Sequence, residues 1–347
     1  MATTLRIDLS SDTSTRPSDG MRKAMYDAEV GDEQKNEDKT TAALCGHVAS
    51  LLGKESAVFL PSGIMSNVAA LLTHCNPGDD IICSSDAHII GSEGGGLAIF
   101  GGVSITPIDT DRGIYSGSEL RSRLRPLRSR SPRSKLAHIE QTTNKGGGAI
   151  WSLEQVYDVA DTANEAGMLV HMDGARLMNA VVASGVPAHD FVARCDSAWI
   201  DLSKGLGAPV GSVLSGSHEF IEAAWTWKNR LGGAMRQSGV IAAAGLYALK
   251  HNVTRLAEDH ANAKILAERL ANIPGIKLDP PEVETNLVFF DVYETGQSAP
   301  EIAAKLLETG VRIGATNDRR MRAVTHLDVS QSDVLEAAGA VEKIVGK

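Results

Sequence analysis

The chain has 347 residues, with 34 basic and 43 acidic side chains and a formal net charge of −9. An acidic chain lacks the basic face that a phosphate backbone requires, which argues against nucleic acid as the main partner. No stretch approaches the roughly 18 apolar residues of a membrane span, and the start lacks the apolar core of a secretion signal. The 4 cysteines are scattered without C-x-x-C spacing, so we expect reduced thiols and a cytoplasmic protein.

Short apolar runs alternate with segments of helical period up to about residue 270. Strands are predicted at 56–60, 80–83, 103–108, 135–140, 167–172, 197–202 and 211–214, and helices at 64–72 and 152–166. Alternating strand and helix units predict an α/β fold, with a mostly parallel sheet and helices on both faces. A long helical stretch, only mildly broken, is predicted over 237–270.

The pattern changes after Pro274. The remaining predictions are a strand at 285–292, a helix at 299–308, short strands at 311–313 and 321–325, and a final helix at 331–345. The adjacent prolines Pro280 and Pro281 exclude regular secondary structure at that point. The sequence therefore predicts an N-terminal arm and large α/β domain over 1–250, followed by a linking helix and small α+β domain over 251–347.

Lys204 is the first candidate functional residue. It follows an apolar strand in DLSKGLGAPVGS, between Ser203 and Gly205. The carboxyl ends of strands in α/β sheets face the crevice where ligands bind, and the small neighbours leave room for a flat group on the lysine nitrogen. Taken alone, a lysine in a loop is more often simply exposed to solvent.

Asp173 ends another apolar strand, in VHMDGAR, with Arg176 close behind it. A carboxylate in that position can hold a proton on a pyridine nitrogen and so make the ring an electron sink. The alternative is that Asp173 caps the helix that follows, because Asp is a favourable N-cap residue.

LPSGIMSN lies between a predicted strand and a predicted helix. The N–H groups of Ser62, Gly63 and Ile64 would then lie at a helix N-terminus, an arrangement that suits a phosphate. His88 follows the strand DIIC, where an imidazole could stack on a flat ring, although a lone histidine is more often structural.

Each of these signals is weak, but their order is the layout of pyridoxal 5′-phosphate (PLP) enzymes of fold type I. Across most of its length the sequence resembles the low-specificity threonine aldolases of the β-eliminating lyase group. The matching segments are DLSSDTSTRPSDGMRKAM, PSGIMSN, HMDGARLMNA, LSKGLGAPVGS, LGGAMRQSGVIAAAGLYAL, ETNLVFFDV and RAVTHLDVS.

The resemblance implies a role for each matching position. Lys204, His88 and Asp173 are the implied catalytic residues: Lys204 binds PLP covalently, Asp173 pairs with the ring nitrogen, and His88 stacks over the ring. The full set of implied cofactor-binding residues is Ser62, Gly63, Ile64, His88, Asp173, Arg176, Ser203, Lys204 and Arg236. The implied substrate-binding residues are Ser11, Lys35, Thr143, Arg176 and Arg322, of which Ser11 and Arg322 hold the α-carboxylate. No metal site is predicted.

The sequence departs from the family pattern around the substrate side chain. Lys35 replaces a tyrosine of a loop that enters a neighbouring subunit's pocket, Thr143 replaces a histidine, Asn229 replaces a lysine, and Ile64 replaces a threonine of the phosphate loop. The resemblance therefore implies a homodimer or homotetramer with active sites at the subunit interface. The changed positions predict a substrate preference shifted away from threonine.

The predicted activity is a PLP-dependent aldolase. It would cleave a β-hydroxy-α-amino acid, either threonine, allo-threonine or a bulkier or more polar analogue, reversibly to glycine and an aldehyde. Other PLP-dependent chemistry on a related amino acid (β-elimination, dehydration or transamination) is the alternative, and a non-catalytic PLP-binding protein is a third. With Thr143 in place of the histidine, the base that acts on the β-hydroxyl is either His88 or an ordered water. The expected partners are a small amino acid and an aldehyde, with no nucleic acid and no membrane.

Overall fold

A computed structural model describes residues 4–346. The strands are β1 (Ile7–Asp8), β2 (Ser56–Leu60), β3 (Asp79–Ser84), β4 (Ser104–Ile108), β5 (Arg133–Glu140), β6 (Leu169–Gly174), β7 (Ser197–Asp201), β8 (Ser212–Gly216), β9 (Lys277–Leu278), β10 (Leu287–Asp291), β11 (Val311–Arg312), β12 (Gly314–Ala315) and β13 (Arg320–Val324). The helices are α1 (Asp19–Tyr26), α2 (Lys39–Leu51), α3 (Gly63–His74), α4 (His88–Gly91), α5 (Gly117–Arg123), α6 (Leu153–Glu165), α7 (Leu177–Ser184), α8 (Ala188–Val192), α9 (His218–Arg230), α10 (Gly239–His251), α11 (Leu256–Ala271), α12 (Ala299–Glu308) and α13 (Gln331–Val345).

A sheet of seven strands in the order β2-β8-β7-β6-β5-β3-β4 forms the centre of the larger part. Only β8 runs against the other strands of this sheet. Successive residues point to opposite faces: Ile82 belongs to a core cluster with α2 and α6, whereas Ile81 belongs to a cluster with α3. Both faces are therefore covered by helices, which explains why these strands read as continuous apolar runs.

The smaller sheet has the order β12-β13-β10-β9 and is antiparallel. Helices α11, α12 and α13 pack with it around Phe290, Ile302 and Val341. The first strand of the N-terminal arm packs here: β1 pairs in parallel with β11, and Leu9 is buried in the same cluster. The division into 1–250 and 251–347 stays a prediction.

The α/β fold with a mostly parallel sheet, covering helices and a small C-terminal α+β part is confirmed. Helices α12 and α13 have the bounds that the sequence predicts. The long helix expected over 237–270 is in fact two helices, α10 and α11, separated by a turn. Asn252 holds that turn, because its side-chain amide donates to the carbonyl of Leu206 at 2.7 Å. Within residues 4–346 no helix has the length and apolar character needed to cross a bilayer.

Candidate active site

A cavity of about 300 Å³ lies at the carboxyl ends of β2, β3, β5, β6 and β7. Its position is the one that ligands occupy in open α/β sheets. Nine of the predicted site residues line it: Ser11, Ser62, Gly63, Ile64, His88, Asp173, Arg176, Lys204 and Arg322. The sheet brings together residues that are far apart in the sequence because parallel strands all end at one edge.

Lys204 lies three residues beyond the end of β7. Its Nζ donates to Oδ2 of Asp201 at 2.9 Å and lies 5.7 Å from the centre of the Trp199 ring. Ser203 holds Oδ1 of the same carboxylate through its N–H at 2.7 Å and its hydroxyl at 2.9 Å. The lysine amine is thus aimed into the cavity and tethered by a carboxylate of its own loop.

Asp173 is buried at the end of β6, opposite Glu140 on β5. One carboxylate oxygen accepts from the N–H of Ala175 at 2.9 Å and the other from the side-chain amide of Asn67 at 2.8 Å. Helix α7 begins at Leu177 without a side-chain cap, so the hypothesis that Asp173 is an N-cap is wrong. Its carboxylate faces the cavity instead.

His88 is paired with Glu93, a residue that the sequence reading does not single out. Nδ1 of His88 lies 2.9 Å from Oε1 of Glu93, and Asn67 donates to that same oxygen at 2.8 Å. The hydrogen bond with Glu93 raises the pKa of His88, and burial raises the pKa of Glu93. The imidazole is therefore held in one orientation at the cavity wall.

Glu140 is another buried carboxyl in the lining. Oε2 accepts from the N–H of His88 at 2.8 Å, and Oε1 accepts from the N–H of Asn144 at 2.6 Å. Burial, together with the nearby charge of Asp173, raises the pKa of Glu140 to about 7. Both oxygens hold backbone groups, so this side chain fixes the shape of the wall on either side of it.

Helix α3 begins at the cavity. Ser62 is its N-cap, and the hydroxyl accepts from the N–H of Met65 at 3.2 Å. A Cβ at Gly63 would lie 2.4 Å from the Trp199 ring, so only glycine allows the helix to start this close to the sheet. The N–H groups of the first turn consequently point into the cavity, where they can bind an anion.

Two arginines line the side of the cavity next to the smaller sheet. Arg176 is buried and makes a two-point ion pair with Asp12, at 2.7 and 2.8 Å. Burial opposes ionisation of Asp12, yet the guanidinium lowers the pKa of that carboxyl to about 2. Arg322, on β13, donates to Oδ1 of Asn144 at 3.2 Å and to the carbonyl of Ser10 at 3.1 Å. Because its hydrogen-bond partners among residues 4–346 are neutral, Arg322 keeps a positive charge available for an anionic group.

The model of the β-eliminating lyase family matches residues 8–293. The low-specificity L-threonine aldolase of Escherichia coli K12 is 41% identical over 333 residues, covering 96% of this chain and 97% of that protein. Low-specificity L-threonine aldolase 1 of Arabidopsis thaliana is 40% identical over 333 residues, covering 94% and 93% respectively. The chain belongs to the β-eliminating lyases, in the threonine aldolase family. A solved structure of Leishmania major threonine aldolase shares the fold, with a TM-score of 0.84 at 19% identity, covering 98% of this chain and all of that one.

Four residues that the resemblance assigns to the threonine aldolase site do not line the cavity of the single chain: Ser203, Thr143, Lys35 and Arg236. Ser203 donates both of its hydrogen bonds to the Asp201 carboxylate. Thr143 packs against Gly113 and Gly146, so its neighbours Thr142 and Asn144 line the cavity in its place.

Lys35 and Arg236 lie on two exposed loops away from the cavity. The Arg236 guanidinium pairs with Asp32 at 2.9 Å. Beneath the surface the Glu33 carboxylate joins the two loops. It accepts from the Ser238 hydroxyl at 2.7 Å and from the fully buried amine of Lys228, near the end of α9, at 2.8 Å. The predicted roles of Lys35 and Arg236 therefore stay predictions about the assembled protein.

The polar residues that the sequence analysis does not assign, but that line or support the cavity, include Asp12, Asn67, Glu93, Glu140 and Asp201. Two of them lie close in sequence to an assigned residue. Asn67 is one helical turn beyond Gly63, and Asp201 is three residues before Lys204, so both share a local element with a residue that was assigned. Glu93 and Asp12 become visible only through contacts with His88 and Arg176.

The lining fits PLP. It offers an amine for an aldehyde carbon, a helix N-terminus for a phosphate, and a buried carboxylate for a protonated ring nitrogen. Two buried polar atoms of the lining, Oε2 of Glu93 and Oγ1 of Thr142, have no hydrogen-bond partner among residues 4–346. Unpartnered polar atoms in a cavity mark the place where a polar ligand belongs.

Proposed function

We propose that this protein is a PLP-dependent aldolase, which cleaves threonine and related β-hydroxy-α-amino acids reversibly to glycine and an aldehyde. The observation that carries the proposal is the convergence of Lys204, Asp173 and Arg322 on one cavity. The relatives in Escherichia coli and Arabidopsis thaliana, whose names state L-threonine aldolase activity, support it over nearly the whole chain.

Lys204, Asp173, Arg176 and the first turn of α3 would hold the cofactor. When bound, PLP supplies an electron sink for the charge left on Cα. Asp173 is suited to keeping a ring nitrogen protonated, since it is buried and its carboxylate is fixed by Asn67 and by the N–H of Ala175. Ser62 and Gly63 offer N–H groups to the phosphate.

Arg322 and Ser11 would bind the substrate α-carboxylate. A guanidinium matches a carboxylate with two parallel hydrogen bonds. The residues that hold Arg322, Asn144 and the carbonyl of Ser10, are neutral acceptors. The cavity therefore has a cationic end for the carboxylate, and this end is provided by β13 of the smaller sheet.

Proton transfer at the β-hydroxyl falls to His88. Thr143, at the position of the family's histidine, packs against Gly113 and Gly146 outside the lining. His88 is in the lining, partly exposed, and oriented by Glu93. A general base must lie within hydrogen-bond reach of the proton it removes, and an imidazole in the cavity lining is placed to do so.

The active assembly we propose is a homodimer or homotetramer. Lys35 and Arg236 are exposed in the single chain, on loops joined by the buried Lys228–Glu33 pair, and both residues match family positions at the active site. An arrangement in which these loops complete a neighbouring cavity accounts for both facts. The cytoplasmic location stays a prediction.

Product analysis tests the activity. Purified protein with PLP is incubated with threonine, allo-threonine, phenylserine and 3-hydroxyaspartate, and glycine and the aldehyde are quantified. We expect glycine and aldehyde in equal amounts from at least one substrate, and none from the Lys204→Ala variant. A keto acid with ammonia in place of glycine would support elimination or dehydration and overturn the proposal.

A further inference from the structure

Glu93 differs from the other carboxylates around the cavity in what it contacts. Asp173 and Glu140 each use both oxygens on fixed N–H groups, and Asp201 is bound to Lys204 and Ser203. Glu93 alone among these carboxylates contacts an imidazole, with an Oε1 to Nδ1 distance of 2.9 Å. Its side chain is 1% exposed, so the carboxylate is shielded from bulk water, whereas the His88 side chain is 35% exposed at the cavity.

Asn67 fixes Glu93 from the other side. Its amide donates to Oε1 of Glu93 and to Oδ2 of Asp173, both at 2.8 Å, and its oxygen accepts from Nε1 of Trp199 at 2.7 Å. One amide therefore ties the carboxylate behind the histidine to the carboxylate at the end of β6. Glu93 cannot turn away from His88 without breaking this connection.

We propose that Glu93 is a positioning residue that makes His88 the base for the β-hydroxyl proton, an inference that rests on the proposed aldolase function. The Glu93 carboxylate accepts a hydrogen bond from Nδ1–H of the neutral imidazole, which leaves the lone pair on Nε2. This is the logic by which a carboxylate selects the tautomer of a catalytic histidine or a metal-ligating one.

The cleavage step moves the β-hydroxyl proton to His88 and shifts two electron pairs. The O–H bond of the β-hydroxyl breaks, and its proton forms a new bond to Nε2 of His88. The electron pair of that O–H bond becomes the second carbon–oxygen bond of the aldehyde as the Cα–Cβ bond breaks. The pair from Cα–Cβ stays with the glycine carbon, which takes a proton as Nε2 of His88 releases one, so the imidazole returns to its neutral form. Glu93 stabilises the imidazolium that exists between the two proton transfers.

The Glu93→Gln variant removes the charge and keeps the size of the side chain. We expect kcat for glycine formation to fall by about 10²–10⁴-fold, the usual contribution of general base catalysis. The charged groups around His88 are Glu93, Asp173 on β6 and Glu140 on β5, all of which raise its pKa. Losing one of them lowers that pKa, so the acidic limb of the kcat/KM profile should move to lower pH.

A double-mutant cycle separates positioning from a purely structural role. In a His88→Phe background, which keeps a ring at the cavity wall, Glu93→Gln should cause less than a twofold further loss, because a residue that acts through another has no effect in its absence. A full additional loss in that background would overturn the proposal, as would wild-type kcat in Glu93→Gln alone.

Nitrogen-15 NMR of the histidine ring supplies a readout independent of activity. His88 signals are assigned by their absence in His88→Phe, in protein with and without PLP. We expect Nδ1–H as the neutral tautomer in wild type and a lower pKa in Glu93→Gln. An unchanged tautomer and pKa would contradict the inference. Should wild type form no glycine from any substrate, the proposed function fails, while this titration still decides whether Glu93 controls His88.

Discussion

Two regions of the molecule use buried charge in opposite ways. At the strand-end wall, defined as His88, Glu140, Asp173 and Lys204, every charged group lies in or beside one cavity of the same chain. In the paired-loop region, defined as residues 32–38 and 228–238, the charge is buried in the Lys228–Glu33 pair, while Lys35 and Arg236 are exposed. Sheet register alone suffices to build the first region. The second leaves Lys35 and Arg236 facing outward from a buried ion pair.

The largest expected effect comes from the strand-end wall. Lys204→Ala should lower kcat by at least about 10³-fold, because it removes the amine that we propose binds the cofactor carbon. PLP should still bind, more weakly, through the α3 N-terminus and Asp173. The rate of glycine formation measures the fall in kcat. The absorbance of PLP that stays with the protein after excess PLP is dialysed away measures the weaker binding.

Lys145→Ala is the matched control, since Lys145 is exposed and lies outside the cavity lining. It should keep wild-type turnover. Borohydride treatment of wild type followed by peptide mass spectrometry should attach the cofactor to the Lys204 peptide. A cofactor found on another lysine would show that the wall is not the cofactor site.

The Lys228→Met variant removes the buried ion pair of the paired-loop region. The buried Glu33 carboxylate would keep the Ser238 hydroxyl at 2.7 Å and the N–H of Met235 but lose its ion-pair partner. Removing one partner of a buried pair costs about 3–5 kcal/mol of unfolding free energy. Urea denaturation measures that loss, and sedimentation velocity should show a weaker assembly.

Arg230→Met controls for the loss of a cation from the same helix, because Arg230 is exposed over the Trp227 ring. It should cost less than about 1 kcal/mol. If both variants are equally stable and equally assembled, the Lys228–Glu33 pair does not hold the loops.

Arg322→Ala tests the cationic end of the strand-end cavity. Charged hydrogen bonds contribute about 1.5–3 kcal/mol, so KM should rise by about 10- to 200-fold for every amino-acid substrate, with a smaller change in kcat. Steady-state kinetics with threonine and phenylserine measures it. Arg320→Ala, on the same strand but bound to Asp279, should leave KM near wild type; an unchanged KM in Arg322→Ala would remove the assignment.

The smallest expected effect is on substrate preference, from Lys35→Tyr. If the paired-loop region reaches a neighbouring cavity, this change should alter the ratio of kcat/KM for threonine to that for 3-hydroxyaspartate by up to about tenfold, or ~1.4 kcal/mol. The same change at Lys39, which is exposed and paired with Glu29, should alter nothing. Threonine as the best substrate, together with an unchanged ratio in Lys35→Tyr, would refute the predicted shift in preference.

The strand-end wall is the part of the site that could be predicted from the sequence. Apolar runs locate the strands, and the residues just beyond them must meet at one edge, which places Lys204, Asp173 and His88 together. The short N-terminal elements are missed, because Ile7–Asp8 has no periodicity of its own and forms a strand only by pairing with Val311–Arg312.

Glu93 and Asp12 could not be predicted, because their roles depend on contacts that form only in the folded chain. Nothing around Glu93 in the sequence indicates that it contacts His88, and Asp12 faces Arg176 only after the arm has crossed to the other sheet. Thr143 shows that a matching position in the sequence does not guarantee a place in the site. Its position along the chain matches a site residue, but whether a side chain enters a cavity depends on neighbours such as Gly113 and Gly146.

The arm that carries Asp12 also sets the order in which the site can be completed during synthesis. Leu9 accepts from the N–H of Val324 and donates to the carbonyl of Arg312, so the arm has no fixed position until β11 and β13 have left the ribosome. Arg176 is synthesised long before β11 and β13, and its ion pair with Asp12 forms only after the arm has docked. Although domains generally fold from the N-terminus onward, residues near the start of this chain are among the last to find their places.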